Sequence, residues 1–416
     1  MSAPRLVTRA LVLSFLTVAL VLRRPPGLDL ATWIDHRRGL PMSATHTHRL
    51  IRSLVVAACV MVTTPAAAQP VAVAATPAVG LPGQTSRLSL DTVVAVDGDA
   101  GSQVTRKSTA WFDVFAAVQL ADGWSLRVRP VVFRRLFDGT WQKQIYELAV
   151  RYERPGAVGV RVEVGQFVSP IGFAILENRP NRNPVVSQHS TLYLPVPRYE
   201  PGTPTTFLIA ASYPFGAQVT ASTQTWDVRA AVTDSSPIRG RPFFGNNKPP
   251  RMVNVIAGGG ITPKIGLRLG ASVATGSYAA AREVRDKSAG DRRASLAQVE
   301  TEWSFGHTRI AGEFLWTWRE LASETARANG GWIEATQTLG PRWFTAARYD
   351  DQHTMWTNLP NLADRDESYR RLETTVGFRV TPAITLRGSY MTRKGYVVRF
   401  WDDQVLGSIV FAQKIK

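Results

Sequence analysis

The chain has 416 residues, 44% hydrophobic and 19% charged, which excludes a disordered polyelectrolyte and leaves several soluble domains or one large sheet-built domain. Beyond residue 70 no unbroken apolar run approaches the ~20 residues of a membrane helix, so a membrane protein of this sequence would not be a helical one. The formal net charge of +17 favours anionic partners, and with no recognisable binding motif nucleic acid is not among them.

The N-terminal 83 residues read as processing segments. From Met42, Arg49 and Arg52 precede an apolar run from Ser53 to Val62, and Ala66-Ala67-Ala68 supplies small residues for cleavage. That is the pattern of a secretory signal peptide over 42–68, cut near Ala68. Residues 1–41 then read as an over-extended start; the alternative, a membrane anchor at Leu11–Leu22, has only twelve residues with which to span. The single cysteine, Cys59, lies inside the signal, where Val56-Ala57-Ala58-Cys59 resembles a lipoprotein box but the apolar run continues past it. Residues 1–68 hold eight of the 49 Lys/Arg and two of the 32 Asp/Glu, which leaves 41 against 30, about +11, in the mature chain. Residues 69–83, rich in Ala, Pro and Val, form a short periplasmic lead.

From residue 84 onward a period of two dominates. Phe112, Val114, Ala116, Val118 and Leu120 alternate with Asp113 and Gln119, and Val158 to Val164 alternate with Arg161 and Glu163. The pattern recurs at Ile265–Val273, Val299–Phe305, Ile310–Trp318 and Leu372–Val380, each apolar face backed by charged or polar residues. Short turn signals such as Ala121-Asp122-Gly123, Arg154-Pro155-Gly156 and Leu339-Gly340-Pro341 alternate with longer polar stretches at 97–107, 136–142, 167–204, 235–250, 276–293, 320–328, 351–368 and 395–402. Short turns at one end and long loops at the other are the hairpin pattern of a transmembrane antiparallel β-barrel. One strand, seven hairpins and a final strand make 16. Because residues 204–234 are long for one hairpin, 18 strands is the competing count.

A water-soluble sandwich would place its charges outside and its apolar face in a core. Here charges of both signs back almost every strand, and Trp111, Trp124, Trp226, Trp303, Trp318 and Trp343 lie near strand ends, as aromatic girdles require. The polar faces then point to a lumen. The expected pore-lining set is Arg127, Arg129, Arg151, Arg161, Glu163, Arg229, Arg268, Arg309, Glu313, Arg371, Arg379 and Arg387, with Arg348, Asp113, Glu147, Asp227, Glu300, Glu302, Glu334 and Glu373 on the same faces. Most of these charges serve to rigidify the wall as ion pairs; the arginine excess adds a bias toward anions. The longest loop, after the fifth strand, carries Glu177, Arg179, Arg182, His189, Arg198 and Glu200. Folded inward it would form a constriction; packed on the rim it would not.

Gly165-Gln166-Phe167-Val168-Ser169-Pro170-Ile171-Gly172, which closes a strand ahead of an Arg/Asn/Pro-rich loop, resembles the trimeric phosphate-selective porin family of bacteria, as does the hairpin order over residues 84–416. The resemblance implies a passive outer-membrane channel of a Gram-negative-type bacterium, a homotrimer in lipid that passes small hydrophilic or anionic solutes, with its third loop in the lumen. Phosphate selectivity does not transfer, since no matching lysine cluster is present. The usual terminal aromatic residue is displaced to Phe411, which leaves Gln413–Lys416 as a tail.

Catalytic and metal signatures are absent from the sequence: His189, His307 and His353 are scattered, and no nucleophile elbow or phosphate loop occurs. The expectation is a porin without catalytic residues, cofactor or metal. A barrel that does not conduct, blocked by its long loop and serving as an adhesion or scaffold protein, is the alternative.

Overall fold

Valine, threonine and aromatic residues at alternate positions favour extended backbone, because each face of a pleated strand then presents one kind of side chain. The computed structural model describes residues 88–101, 107–134, 139–176, 178–196, 204–210, 212–239, 251–284, 290–322, 325–355, 367–395 and 402–415. The expected start, signal peptide and lead over 1–83 lie outside them, as do Glu177 and Arg198.

Sixteen strands run in chain order: β1 (Leu88–Gly101), β2 (Lys107–Ala121), β3 (Trp124–Arg134), β4 (Trp141–Arg154), β5 (Gly159–Gln166), β6 (Phe215–Ser222), β7 (Trp226–Thr233), β8 (Asn254–Lys264), β9 (Leu267–Ala279), β10 (Arg292–Phe305), β11 (Thr308–Glu320), β12 (Thr325–Thr338), β13 (Trp343–Met355), β14 (Glu367–Arg379), β15 (Ile384–Lys394) and β16 (Asp402–Ile415). Each pairs antiparallel with its neighbours in sequence, and β16 pairs with β1 to close the ring. Sixteen therefore displaces eighteen. Residues 204–214 do not form a barrel strand: Thr206 makes only an isolated bridge to Val196, and Pro214 accepts a hydrogen bond from Phe167 N–H at 3.1 Å, so this stretch is the return of the long loop.

The outer surface is apolar. Val164, Val219, Val228, Val232, Val255, Val273, Phe314, Val376 and Ile409 all stand exposed on the face opposite the charges. Near the short turns, Trp124 lies against Tyr152 with ring centroids 5.0 Å apart and Trp343 against Phe378 at 4.5 Å. Trp111 is a correction to the expected girdle. Its ring points inward and stacks on Phe133 at 5.4 Å, because it shares the parity of Asp113 rather than of Phe112. The C-terminal end is a second correction: Gln413–Ile415 continue β16 and pair with Leu90–Thr92, so they complete the wall rather than trail from it.

Pro130 explains one irregularity. It has no N–H for the ladder, and the β3–β4 register slips between Arg129 and Pro130. Glu147 then opposes Arg129 and Ile145 opposes Pro130, so the extra residue, Tyr146, joins Glu147 on the inner face.

A closed barrel with an apolar outside spans a bilayer, because all of its strand backbone groups pair within the wall. Val219→Arg, an outward change near the middle of β6, should lower unfolding free energy in lipid vesicles by about 2–4 kcal/mol. Urea titration of tryptophan fluorescence measures this. Stability equal to that of the parent would mean that the face does not meet hydrocarbon.

Candidate channel interior

The segment between β5 and β6 leaves the wall and crosses the barrel. Its two ends first extend the β5–β6 pairing, with Phe167 N–H donating to Pro214 O and Ser169 N–H to Ser212 O, each at 3.1 Å. The chain then turns at Gly172, whose φ of +82° suits glycine; a Cβ there would stand 3.0 Å from Gln298 Nε2 and from Glu313 Oε1. Both N–H groups that follow, of Phe173 and Ala174, donate to Glu313 on β11, the second at 2.8 Å. Five residues later Arg179 reaches Asp91 on β1 at 2.6 Å and Asp113 on β2 at 3.1 Å. Strands β11 and β2 are seven places apart in a ring of sixteen, nearly opposite each other. The loop is therefore a chord across the lumen.

From Arg179 the chain follows the wall back through β15, β14 and β13. Arg387 donates to Pro180 O at 3.1 Å, to Val185 O at 2.9 Å and to Asn183 O. Glu373 accepts from Val186 N–H at 2.9 Å, from Ser187 N–H at 3.1 Å and from the Ser187 hydroxyl. Arg371 donates to Gln188 O at 2.6 Å, and Asp350 accepts from Ser190 N–H and hydroxyl, both at 3.0 Å, where a single helical turn, α1 (Ser190–Tyr193), begins. An irregular loop inside a barrel carries backbone groups that no ladder satisfies, and these wall side chains satisfy them. Apolar contacts complete the anchor. Ile171, Ile175, Leu192 and Ile209 pack on Ala231, Ile256, Ala274, Leu296 and Leu315, on the long-loop half of β7–β11. Leu208 lies over the bare backbone of Gly330, its Cδ1 2.7 Å from where a Cβ would stand.

All twelve residues expected to line a pore sit on inner faces, in two groups. Arg129, Glu313, Arg371 and Arg387 are buried: Arg129 is paired with Asp113 at 2.7 Å, and the other three are engaged by the loop. Arg127, Arg151, Arg161, Arg229, Arg268, Arg309 and Arg379 retain contact with the lumen. Except for Arg379 on β14, they lie on β3–β11, between the loop and the short turns. Glu163, also buried, joins Arg127 at 3.5 Å and Arg151 at 2.9 Å. Glu300 joins Arg229 at 3.0 Å and Arg268 at 2.6 Å. The guanidinium groups lie over the carboxylates: side-chain exposure is 17% for Arg127, 13% for Arg229 and 19% for Arg268, against 3% for Glu163 and 0% for Glu300. Glycine makes the second cluster possible. With Gly258, Gly260 and Gly270 facing inward on β8 and β9, nothing obstructs Arg229 and Arg268 from reaching β10, and Arg268 Nη2 occupies the space of a Cβ on Gly260. Among the described residues Arg161 makes a single long hydrogen bond, 3.4 Å to Thr220, and stands between Arg151 and Arg229. On the loop, Arg179 is buried and Arg182 exposed.

Asp350, Asp91 and Trp332 escaped the sequence reading. Asp350 shares the parity of Arg348 but sits at the edge of the polar stretch from 351 that looks like a loop, whereas β13 continues to Met355. Trp332 looks like a girdle residue, yet it points inward, donates to Glu313 at 3.1 Å and packs on His189 at 4.4 Å. Among the described residues no group of three or more His, Cys, Asp or Glu converges on a metal-sized site.

At the long-loop end Arg239 and Glu283 join the β7–β8 and β9–β10 connections at 2.7 Å. Burial works against the Glu283 carboxylate, but the Arg239 guanidinium and the Ala280 N–H outweigh it and hold its pKa below the ordinary value.

No protein-family model matches this sequence, and no curated protein matches it significantly. Solved structures do match in fold. OmpT, an outer membrane protein of Vibrio cholerae in a trimer form, superposes with a TM-score of 0.54 at 10% identity, covering 78% of this chain and 99% of its own. The outer membrane channel DcaP of Acinetobacter baumannii gives 0.52 at 11%, covering 78% and 97%, and Salmonella typhi OmpF gives 0.51 at 10%, covering 78% and 97%. The chain thus has the closed β-barrel fold of outer-membrane proteins. At such identities the likeness reaches no further than the fold, and it does not single out the phosphate-selective family.

Two measurements probe this interior. Glu373→Ala strands two loop N–H donors, each costing about 1–3 kcal/mol; loop 167–214 should become sensitive to protease while the barrel keeps its heat-modifiable mobility. For Glu283, a depressed folded pKa means that its contribution is present above its unfolded value and is lost as pH falls through the lower folded one. Acidification should therefore raise hydrogen exchange at 234–239 and 280–284, and Glu283→Gln should remove that pH dependence.

Proposed function

We propose that this protein is an outer-membrane porin, a homotrimer whose protomers each hold a water-filled passage for small hydrophilic solutes, with a bias toward anions. The observation that carries the reading is the arrangement on β3–β11, where the partly exposed guanidinium groups of Arg127, Arg229 and Arg268 cover the buried carboxylates of Glu163 and Glu300. Water on that side of the lumen meets arginine first, and a ring of basic groups near low-dielectric walls concentrates anions. The loop chord narrows the passage beside those charges, with the Phe173 ring 5.1 Å from the Arg268 guanidinium. The likeness to a V. cholerae barrel described in a trimer form supports the trimer. Passive diffusion needs neither catalytic group nor cofactor.

The alternative, a barrel that does not conduct, draws on the apolar packing of Ile171, Ile175, Leu192 and Ile209 against the wall, which fills part of the lumen. Planar-bilayer recording separates the two. The porin reading expects stable ohmic channels and, in a salt gradient, a reversal potential of anionic sign. Arg229→Gln with Arg268→Gln should move that potential toward zero, and Arg182→Ala should lower single-channel anion conductance. Silent bilayers would favour the blocked barrel; a cationic reversal potential would end the anion bias.

A further inference from the structure

One row on the outside of the barrel sets like charges face to face. Asp351, Arg370 and Lys394 occupy directly opposed positions on β13, β14 and β15. Their neighbours Asp350, Tyr369 and Arg371 are buried on the inner side, and Arg393 pairs with the inward Asp402 at 3.2 Å, so the row itself points outward. Directly opposed side chains of an antiparallel pair start only ~4.5–5.5 Å apart, and like charges there repel. Asp351 does not offset both cations. It meets Arg370 at 3.4 Å and shares its charge with His353 at 2.8 Å. Among the described residues Lys394 makes no ion pair.

The position of the row matters as much as its charge. The outward residues of β14 run Phe378, Val376, Thr374 and Leu372 before reaching Arg370, so the cations come immediately after the apolar band at the long-loop end. At the short-turn end the corresponding places hold Trp124, Tyr152, Trp343 and Phe378. In a bilayer the first layer beyond hydrocarbon is that of the lipid headgroups, where clustered basic side chains bind anionic lipid. A phosphate carries enough negative charge to neutralise two adjacent cations, and a guanidinium can grip it through two N–H groups.

We propose that Arg370 and Lys394 dock the phosphate of an anionic lipid in the leaflet at the long-loop end, with its acyl chains lying along Tyr349 and Leu372. The proposal requires that the barrel be embedded through its apolar band; it does not depend on whether the lumen conducts.

Native mass spectrometry of the detergent-purified full chain tests it, with a bis-phosphorylated glucosamine lipid as probe and its dephosphorylated form as control. The expected result is retention of the phosphorylated lipid, weakened about fivefold for each cation removed in Arg370→Gln and Lys394→Gln. Retention should persist in the charge-preserving Arg370→Lys with Lys394→Arg, and in Arg154→Gln at the opposite rim. Asp351→Asn, which removes the competing carboxylate, should tighten it and serves if the double neutralisation does not fold. Equal retention by the parent and the neutralised variants would overturn the proposal, as would equal retention of the dephosphorylated lipid. Displacement by millimolar inorganic phosphate would make the patch a free-anion site instead. Bilayer conductance should be unchanged in these variants, so a failure here is distinct from a failure of the channel reading.

Discussion

A strand that shows apolar side chains on one side still carries an N–H and a C=O at nearly every residue, and hydrocarbon offers neither a partner. Those groups can be satisfied only by another strand, and the last strand only by the first. The twelve-residue register between β1 and β16 is where this requirement is met, from Leu90 opposite Ile415 to Gly101 opposite Gln404. It is also why Gln413–Ile415 belong to the wall: ending β16 at Phe411 would leave Leu90, Asp91 and Thr92 without that partner. Every other feature of the molecule is conditioned by this closure.

Closing the ring turns all the polar faces toward one another. Charges that would be independent on an open sheet come to share a confined volume, and the wall answers with cross-strand pairs such as Arg129 with Asp113 and Arg268 with Glu300. Three of the pairs, Arg127 with Glu163 and Arg229 and Arg268 with Glu300, are not symmetric in depth, whereas Arg268 and Asp227 are equally exposed. Carboxylates on short stems lie against the backbone, and long arginine stems carry their charge over them toward the water.

The same inward charges hold the loop. Backbone that leaves a ladder inside a barrel must find other partners, and Glu313, Glu373, Asp350, Arg371 and Arg387 provide them from β11 to β15. These side chains are consequently withdrawn from the lumen, while Arg127, Arg151, Arg161, Arg229, Arg268 and Arg309 on β3–β11 stay open to it. The loop thus divides one set of arginines into anchors and accessible charges.

Much of the architecture was legible in the chain itself. Alternation at Phe112–Leu120, Val299–Phe305 and Leu372–Val380, with short turns between, is a local property of backbone geometry, and it sufficed for the strand count and for which side of each strand is polar. Parity placed Arg161 and Arg268 inside for the same reason. Residue type misled at Trp111, whose ring suits a girdle although its parity, shared with Asp113, sets it in the lumen. Alternation was not enough for Asp350, whose strand outruns its apolar stretch because pairing with β12 and β14 continues beyond it. Which arginines grip the loop and which face water depends on contacts between residues more than 150 positions apart, such as Asp350 with Ser190 and Arg387 with Val185. Alternation along the chain carries no information on such distances. The sequence determined the wall, and only the closed ring, by bringing opposite strands within reach of one loop, decided the interior.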